Sequence, residues 1–452
     1  MAEEVERLAE RFARALGEED VVGREGLAAY AVDGRPPLAV ARPRTTEQTC
    51  RLLAQANELG LAVLPWGAGT KQHVGYPPSR PALALSTERL GGVIGHMKED
   101  FILTAGAGMS LREANGFLAP HGQFLALDPP YGDRATLGGI MACQSSGPRR
   151  LRYGLPRDQV LSMRVALADG RENTYGARVV KNVTGYDLNK LFCGSFGTLG
   201  VMTELTFRLY PELPAQGALL ARFEGAEAAR EAVFKVTASS LVPDYVEVLN
   251  APRAEVVEAP GEASPFCLAA AFRDFPEGLG DQLARFERMC RECGGREIEV
   301  LRGEEASAFS SRLSTRWPLL GDGGVGLLLR ASLLIAQWGE VAQAAEGFAR
   351  ELGLGCALQV RAGSGAAHVE FRGEDGGGDI APLREAYGRL SGVVASLGGN
   401  LFVEGAPAAL REELPLWGEG RLDPVQMRLM RQIKSQMDPR GILNPGRFLG
   451  RI

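Results

Sequence analysis

Residues 179–210 read VVKNVTGYDLNKLFCGSFGTLGVMTELTFRLY. An apolar start and a polar turn lead into glycines at every third position: Gly194, Gly197 and Gly200. From Val201 to Leu209 apolar residues recur with the alternation of a strand, directly after the glycines. Glycines at this density allow the backbone to approach a flat or anionic ligand closely. The alternative interpretation is that they belong to an ordinary loop. The stretch predicts a ligand-contacting turn if further segments support it.

A second glycine-rich turn lies upstream, at residues 65–70, Pro-Trp-Gly-Ala-Gly-Thr. A capping box at Thr45–Gln48 and a glycine at Gly60 predict a helix between them, and Leu61–Leu64 reads as a short buried strand. Backbone amides in such a turn can line a pyrophosphate. No Gly-x-Gly-x-x-Gly opens a helix here and no Gly-Lys-Ser/Thr follows, which argues against a Rossmann dehydrogenase and a P-loop enzyme.

Further motifs separate the two turns and close the chain. Residues 127–130 read Leu-Asp-Pro-Pro, residues 135–140 read Ala-Thr-Leu-Gly-Gly-Ile, and Ser145-Ser146-Gly147 follows. Val160–Ala168 predicts a strand, and the Asp-Gly pair after it predicts a hairpin turn. Residues 437–447 read Met-Asp-Pro-Arg-Gly-Ile-Leu-Asn-Pro-Gly-Arg. The order of these segments is more specific than any one of them.

In this order the motifs resemble the FAD-binding domain of the vanillyl-alcohol oxidase/PCMH superfamily, over roughly residues 38–215 and again at 437–447. Within it, the chain resembles the branch that oxidises 2-hydroxy acids, and there the FAD-binding E subunits of bacterial glycolate oxidases. The resemblance implies an α+β fold. It would comprise a PCMH-type, two-subdomain FAD-binding domain, an α+β cap domain, and a C-terminal segment that returns to the flavin.

The domain boundaries that follow from these motifs divide the chain into four parts. They are a helical lead-in at residues 1–37, the FAD-binding domain at 38–215, the cap, or substrate, domain at 216–412, and a C-terminal helix with a FAD-contacting tail at 413–452. Within the cap, Phe223–Ala238 shows the periodicity of a helix.

The resemblance implies FAD as the cofactor. The residues expected to bind it are Pro65, Trp66, Gly67, Ala68, Gly69, Thr70, Pro129, Thr136, Leu137, Gly138, Gly139, Ser145, Ser146, Gly147, Arg152, Tyr153, Gly194, Thr198, Gly200, Val201, Asn444 and Arg447. Superfamily members with covalent FAD often place a histidine in the first glycine turn. Thr70 occupies that place here, so we expect non-covalent FAD, and Lys71 could add a donor near the phosphates or the ring.

In the cap, the sequence departs from the catalytically complete members of the 2-hydroxy-acid branch. Those carry His-x-Gly-Asp-Gly-Asn-x-His and a later Glu-His-Gly, whereas residues 361–368 read Arg-Ala-Gly-Ser-Gly-Ala-Ala-His and residues 404–405 read Glu-Gly. Without a second histidine beside His368, we expect no metal site. His368 is the candidate base, and Arg330 and Arg361 are candidate clamps for a carboxylate. The alternatives are a hydrogen-bonded structural histidine and surface arginines.

Oxidation of a 2-hydroxy acid passes the Cα hydride to flavin N5 while a base takes the hydroxyl proton. The resemblance implies a FAD-binding subunit of a glycolate oxidase or dehydrogenase complex that forms glyoxylate, with a catalytic flavoprotein paralogue and an iron–sulfur subunit as partners. Cys290 and Cys293 form one Cys-x-x-Cys motif without a second cysteine pair, so we expect no one-electron carrier in this chain. The alternatives are a stand-alone FAD-linked oxidase or dehydrogenase of another small hydroxy acid or alcohol, and a non-catalytic FAD-loaded assembly subunit.

Composition is that of a soluble globular protein. The 452 residues carry a formal net charge of −5 and are 45% hydrophobic, which gives no indication of nucleic-acid binding. The N-terminus is acidic and opens an amphipathic helix, unlike a signal peptide, and no apolar run approaches the roughly 18 residues of a spanning helix. We therefore expect a cytoplasmic protein, or one held at the inner face of the cell membrane through its partners.

Overall fold

The computed structural model describes residues 2–177, 186–262, 264–315, 326–373 and 379–452. Within these residues the chain forms two compact units. Unit 1 comprises Met1–Ser146, Leu155–Glu212 and Leu422–Ile452, and unit 2 comprises Gly147–Gly154 and Leu213–Arg421. The start of the stretch quoted above, residues 179–185, lies outside the described residues.

The secondary structure alternates between strands and helices along the whole chain. The strands are β1 (Val21–Val22), β2 (Ala39–Ala41), β3 (Ala62–Trp66), β4 (Ala82–Ser86), β5 (Val93–Met97), β6 (Ile102–Gly106), β7 (Gln123–Phe124), β8 (Val160–Ala166), β9 (Glu172–Gly176), β10 (Val201–Arg208), β11 (Tyr210–Pro211), β12 (Ala215–Phe223), β13 (Tyr245–Asn250), β14 (Phe266–Asp274), β15 (Arg296–Arg302), β16 (Gly326–Ser332), β17 (Leu354–Arg361), β18 (Ala366–Gly373) and β19 (Asn400–Gly405). The helices are α1 (Ala2–Leu16), α2 (Thr46–Leu59), α3 (Leu111–Leu118), α4 (Leu137–Cys143), α5 (Arg150–Tyr153), α6 (Pro156–Gln159), α7 (Asn189–Phe192), α8 (Ala226–Thr237), α9 (Ala251–Val256), α10 (Pro276–Glu292), α11 (Gly303–Thr315), α12 (Trp338–Leu352), α13 (Ala381–Ser396), α14 (Ala408–Glu413) and α15 (Pro424–Met437).

Unit 1 is built on two larger sheets, one of four strands in the order β1-β2-β4-β3 and one of five in the order β5-β6-β10-β8-β9. Strands β2, β4 and β3 run parallel, whereas the five-stranded sheet is antiparallel. The helix predicted from the capping box is confirmed. Thr45 accepts a hydrogen bond from the amide of Gln48 at 3.2 Å, and Gly60 ends α2 with a φ of 61°.

The strands that frame the two glycine turns also form as predicted. Buried β3 leads directly into residues 65–70, and β10 begins directly after Gly200. The Asp-Gly pair joins β8 and β9, with Gly170 at a φ of 86°, a left-handed value that glycine adopts without steric cost. Both glycine turns are thus anchored by buried strands.

Unit 2 is one antiparallel sheet of eight strands, in the order β15-β12-β14-β13-β17-β18-β16-β19, with helices packed against it. The helix predicted at Phe223–Ala238 begins later than expected, because Phe223 is the last residue of β12. There it is buried and pairs with Phe266, and Gly225 then provides the break before α8 starts at Ala226. Residues that lie directly opposite each other on neighbouring strands project from the same face of the sheet, so the strand register decides which side chains lie close together.

Candidate functional site

A cleft in unit 1 brings together four segments that are far apart in the sequence. Its empty volume, which includes space open to solvent, is about 600 Å³. The lining residues come from the first glycine turn, helix α4, the later glycine turn and the C-terminal segment: Pro65, Gly67, Ala68, Gly69, Thr70, Lys71, Gln72, Val74, Thr136, Gly139, Ala142, Cys143, Phe196, Gly197, Asn444 and Arg447. The two glycine turns thus meet in one site.

The first glycine turn needs glycine at two positions. A Cβ atom on Gly67 would collide with Oγ1 of Thr136, the N-cap residue of α4. Gly69 has a φ of 73°, and a Cβ atom there would lie 2.9 Å from the ring of Trp66. Glycine therefore permits both the left-handed backbone and the close packing of the turn against α4.

Replacing Gly69 with alanine is expected to weaken FAD binding by about tenfold or more, because about 1.4 kcal/mol of strain in the turn is enough for that change. Gly60→Ala is the matched control. Gly60 has a φ of 61° but no atom within 4 Å of its Cβ position, and it lies outside the cleft. Fluorescence titration of each apoprotein with FAD measures the effect. Equal affinities in the two variants would show that the turn does not contact the cofactor.

The later glycine turn packs directly against the first one. Phe196 and Gly197 have φ values of 52° and 68°, and a Cβ atom on Gly197 would lie 2.9 Å from the ring of Pro65. The Ser195 hydroxyl is buried and has no hydrogen-bond partner within the described residues, and Thr198 donates a hydrogen bond to the carbonyl of Ser195 at 2.7 Å. The turn is compact and leaves one buried hydroxyl group for another partner.

The C-terminal segment joins the two turns through Asn444. Its backbone amide donates to the carbonyl of Val63 at 2.8 Å, and the amide of Val63 donates to the carbonyl of Ile442 at 2.8 Å. Its side-chain amide donates to the carbonyl of Phe196 at 2.5 Å. The segment therefore extends the sheet beside β3 and fixes the later glycine turn at the same time.

A buried ion pair at the end of α15 supports this arrangement. The ammonium group of Lys434 donates to the carbonyl of Thr198 at 2.8 Å, to the carboxylate of Asp438 at 2.6 Å and to the carbonyl of Leu443 at 2.9 Å. Asp438 also accepts hydrogen bonds from the amides of Ile442 and Leu443. Burial lowers the pKa of Lys434, and Asp438 opposes that change. The pair ties the C-terminal segment to the later glycine turn.

Arg447 lines the cleft with its guanidinium group already engaged. Nε donates to the carbonyl of Tyr76 at 3.1 Å, Nη1 to Oε1 of Gln72 at 2.5 Å, and Nη2 to the carbonyl of Val74 at 3.2 Å. The sequence resemblance implied that Arg447 reaches the flavin. In the structure its hydrogen bonds hold residues 72–76 in place, and direct contact with the cofactor stays a prediction.

The electrostatics of the cleft fit a flavin dinucleotide. Among the described residues, the lining contains two cationic side chains, Lys71 and Arg447, and no carboxylate. Burial raises the pKa of the Cys143 thiol to about 11, so this group is neutral. Oδ1 of Asn444 is buried without a hydrogen-bond partner in the described part of the chain. A pyrophosphate supplies the anion that such a lining favours, and the ribityl hydroxyl groups supply donors for unsatisfied acceptors.

Many of the residues predicted to bind FAD line this cleft: Pro65, Gly67, Ala68, Gly69, Thr70, Thr136, Gly139, Asn444 and Arg447. Others lie near them along the chain without lining it: Trp66, Leu137, Gly138, Ser145, Ser146, Gly194, Thr198, Gly200 and Val201. Pro129 is a buried residue outside the lining. Gly138 has a packing role, because a Cβ atom there would lie 2.9 Å from the Cβ of Ala107.

Arg152 and Tyr153 are not brought to the cleft, and with Gly147 they belong to unit 2. Arg152 donates to Oδ1 of Asp244 at 2.8 Å and to the carbonyl of Arg273 at 3.2 Å. Arg273 pairs with the other carboxylate oxygen of Asp244 at 3.1 Å. Two guanidinium groups thus neutralise one buried carboxylate in unit 2, and contact of Arg152 with FAD stays a prediction.

Several lining residues were not predicted from the sequence: Gln72, Val74, Ala142, Cys143, Phe196 and Gly197. Two of them carried a usable signal. Gly197 is the middle one of three regularly spaced glycines, and Cys143 lies four residues after Gly139, which places both on one face of α4. The left-handed φ of Phe196 had no sequence signal, because bulky residues rarely adopt it.

Unit 2 carries a polar cluster around one carboxylate. His368 on β18 lies opposite Arg330 on β16, which lies opposite Phe402 on β19. Nε of Arg330 donates to Oε1 of Glu404 at 2.8 Å, and its guanidinium group lies 4.3 Å above the ring of Phe402. Nε2 of His368 is 3.5 Å from Oε2 of Glu404, and Nη1 of Arg330 donates to Ser332 at 3.0 Å. The predicted base and one predicted clamp share Glu404.

Arg361 lies on the same sheet face as His368. His368 is opposite Gln359 on β17, and Arg361 is two residues further along that strand, so both side chains project from one face. Arg361 is 7% exposed, and its Nε has no hydrogen-bond partner within the described ranges. The structure thus places a histidine, two arginines and Glu404 on neighbouring strands, a set that suits an anionic ligand.

Two further features bear on the chemistry. No group of three or more His, Cys, Asp or Glu side chains within the described residues could hold a metal ion. The cysteines are free thiols, and burial raises the pKa of both members of the Cys290–Cys293 pair.

None of the helices in the described ranges is both long and apolar enough to cross a membrane.

Two protein-family models match the chain. The model described as "FAD binding domain" matches residues 37–175, and "FAD linked oxidases, C-terminal domain" matches residues 214–448. The D-lactate dehydrogenase of Archaeoglobus fulgidus is 30% identical over 94% of this chain and 96% of its own length. The glycolate oxidase subunit GlcD of Bacillus subtilis is 27% identical over 94% of this chain and 93% of its own length.

The likeness to an E subunit is partial. The glycolate oxidase subunit GlcE of Escherichia coli is 38% identical over 146 residues, which are 32% of this chain and 41% of that protein. D subunits therefore match over far more of the chain than this E subunit does.

Among solved structures, p-cresol methylhydroxylase has a TM-score of 0.76 at 19% identity, covering 99% of this chain and 97% of that one. This likeness concerns the fold alone and confirms the predicted fold class.

Proposed function

Because this chain belongs to the FAD-linked oxidases, we propose that it oxidises a small 2-hydroxy acid, glycolate or D-lactate, as the FAD-binding subunit of a complex. FAD as the cofactor and oxidoreductase activity on CH–OH groups follow from the two domain matches and from the relatives aligned over most of the chain. The substrate proposal depends on one observation, the cluster of His368, Arg330, Arg361 and Glu404 on one sheet.

Each residue of the cluster is assigned one role. Bound FAD supplies the hydride acceptor. Nε2 of His368 faces Oε2 of Glu404 at 3.5 Å and carries the ring hydrogen towards it, while the other ring nitrogen, Nδ1, takes the hydroxyl proton; Glu404 orients the ring and stabilises the imidazolium that forms. Arg361 binds the substrate carboxylate, because its Nε has no partner within the described residues, whereas Arg330 is engaged by Glu404 and Ser332.

Electrons are proposed to leave the reduced flavin to a partner polypeptide. A partner that carries single electrons would accept them from the reduced flavin. The relatives named as glycolate oxidase subunits support a complex of several subunits, and we propose a catalytic flavoprotein paralogue and an iron–sulfur subunit as the partners. Such partners would also decide whether the chain stays in the cytoplasm or lies at the inner face of the membrane.

Two alternatives each have an observation in their favour. The pairing of Arg330 with Glu404 and the single histidine in the cluster favour a non-catalytic, FAD-loaded assembly subunit. The alignment with a D-lactate dehydrogenase over 94% of this chain favours a stand-alone enzyme for another small hydroxy acid or alcohol. The two alternatives differ in whether the isolated chain turns over a substrate.

Turnover of the chain with and without its partners tests the proposal. Tagged protein purified from its own cells, and the same chain produced alone, are assayed with glycolate, D-lactate and a dye acceptor, per FAD bound. We expect faster turnover in the native preparation. Equal turnover in both would support the stand-alone enzyme. No turnover of any hydroxy acid in the native preparation, with the flavin intact, would contradict the proposed function.

A further inference from the structure

One cation of the unit 1 cleft has no counter-charge among the described residues. Lys71 lines the cleft and is partly buried, and in the described part of the chain its ammonium group forms neither an ion pair nor a hydrogen bond. Arg447, the other cation of the lining, donates instead to the backbone and side chain of residues 72–76. Only Lys71 therefore offers the cleft an uncommitted positive charge from these lining residues.

The backbone that carries Lys71 is held firmly from several directions. The amide of Gln72 donates to the carbonyl of Gly69 at 3.3 Å, and the amide of Val74 donates to the carbonyl of Lys71 at 3.1 Å. The side-chain amide of Gln72 donates to the carbonyl of Pro65 at 3.1 Å, while its oxygen accepts from Arg447. These hydrogen bonds fix the backbone of the turn, so the side chain of Lys71 extends from a defined backbone position.

The charge of Lys71 is felt inside the cleft. Burial raises the pKa of the Cys143 thiol, and the charge of Lys71 is the largest of the effects that oppose this rise; Cys143, on α4, also lines the cleft. No carboxylate belongs to the described lining, so none there competes for the ammonium group. An anion bound between the first glycine turn and α4 would therefore meet one free cation and a set of neutral donors.

We propose that Lys71 is the cation that binds the pyrophosphate of FAD, and that Arg447 is a positioning residue that fixes the turn on which Lys71 stands. This inference rests on FAD as the cofactor. The pyrophosphate carries two negative charges, and the amides of the glycine turn supply donors without charge. Lysine acts on phosphate as a point charge on a flexible stem, so it tolerates either phosphate group. Lys71 would make the site specific for the dinucleotide over riboflavin.

Titration of full-length apoprotein with FAD and with riboflavin tests this role. Riboflavin has the same ring system and ribityl chain without the pyrophosphate. We expect Lys71→Met to weaken FAD binding by about 10- to 100-fold and to leave riboflavin binding unchanged. Added salt should weaken FAD binding less in Lys71→Met than in the parent protein, because the screened charge is absent. Lys71→Arg should retain most of the affinity.

Lys98→Met is the matched control, since Lys98 is an exposed lysine of unit 1 outside the cleft. It changes the net charge equally and should bind FAD as the parent does. Equal losses for FAD and riboflavin in Lys71→Met would place Lys71 at the ring or in the fold, and no loss would remove it from the site. Either result would overturn the inference while FAD binding by the parent protein remains. Failure of the parent to bind FAD would contradict the cofactor itself.

Discussion

Replacing His368 with alanine is expected to lower the rate of hydroxy-acid oxidation by about 10²–10⁴-fold, the usual contribution of a general base. His368 is 2% exposed, and its Nε2 lies 3.5 Å from Glu404, which favours the protonated imidazole that the reaction forms. Because His368 belongs to unit 2 and the FAD cleft to unit 1, the FAD content should stay unchanged. The rate of flavin reduction and the absorbance of bound flavin give the two readouts.

His121→Ala is a matched control for this variant. His121 lies in unit 1, where its ring contacts those of His96 and Phe117, outside the FAD cleft. It should retain the parent rate. A parent-like rate in His368→Ala, measured in the native complex, would make His368 a structural residue and place the chemistry on a partner subunit.

Replacing Lys434 with methionine is expected to lower the free energy of unfolding of unit 1 by about 3–5 kcal/mol, the cost of leaving one partner of a buried ion pair alone. The Asp438 carboxylate would stay buried without its cation, and the carbonyls of Thr198 and Leu443 would lose their donor. Urea unfolding of the apoprotein measures the change without the added stability that bound FAD provides.

Two further variants interpret this measurement. Lys235→Met removes an exposed pair with Glu292 and should leave the free energy of unfolding close to that of the parent protein. The double variant Lys434→Met, Asp438→Asn should be more stable than Lys434→Met alone, because it removes the isolated carboxylate. An unfolding free energy for Lys434→Met within about 1 kcal/mol of the parent would show that the pair does not hold the C-terminal segment in place.

The local structure of unit 1 could be predicted because its signals lie close together in the sequence. The capping residue Thr45 and the left-handed Gly60 bound helix α2 in the structure as they do in the sequence. The sequence predicts a helix that includes Phe223, because the helical periodicity of α8 continues backwards into the residues of β12. Only the pairing with β14, which involves Phe266 more than forty residues away, decides that Phe223 belongs to a strand.

The site was predictable in its segments and less so in its contacts. Glycine spacing and the resemblance pointed to the first glycine turn and to Asn444, and both line the cleft. No local sequence pattern shows that the guanidinium group of Arg447 forms its hydrogen bonds with residues 72–76, or that Arg152 pairs with Asp244. Both facts depend on backbone carbonyls and carboxylates that only the folded chain brings near.

Anaerobic mixing of the FAD-loaded protein with glycolate, D-lactate and L-lactate tests the central claim most directly. The claim is that this chain oxidises a 2-hydroxy acid with its own flavin. We predict that the absorbance of the oxidised flavin falls with glycolate or D-lactate, slowly in the isolated chain because the cluster holds one histidine. A flavin that stays oxidised with every acid, yet is reduced at once by dithionite, would contradict the claim.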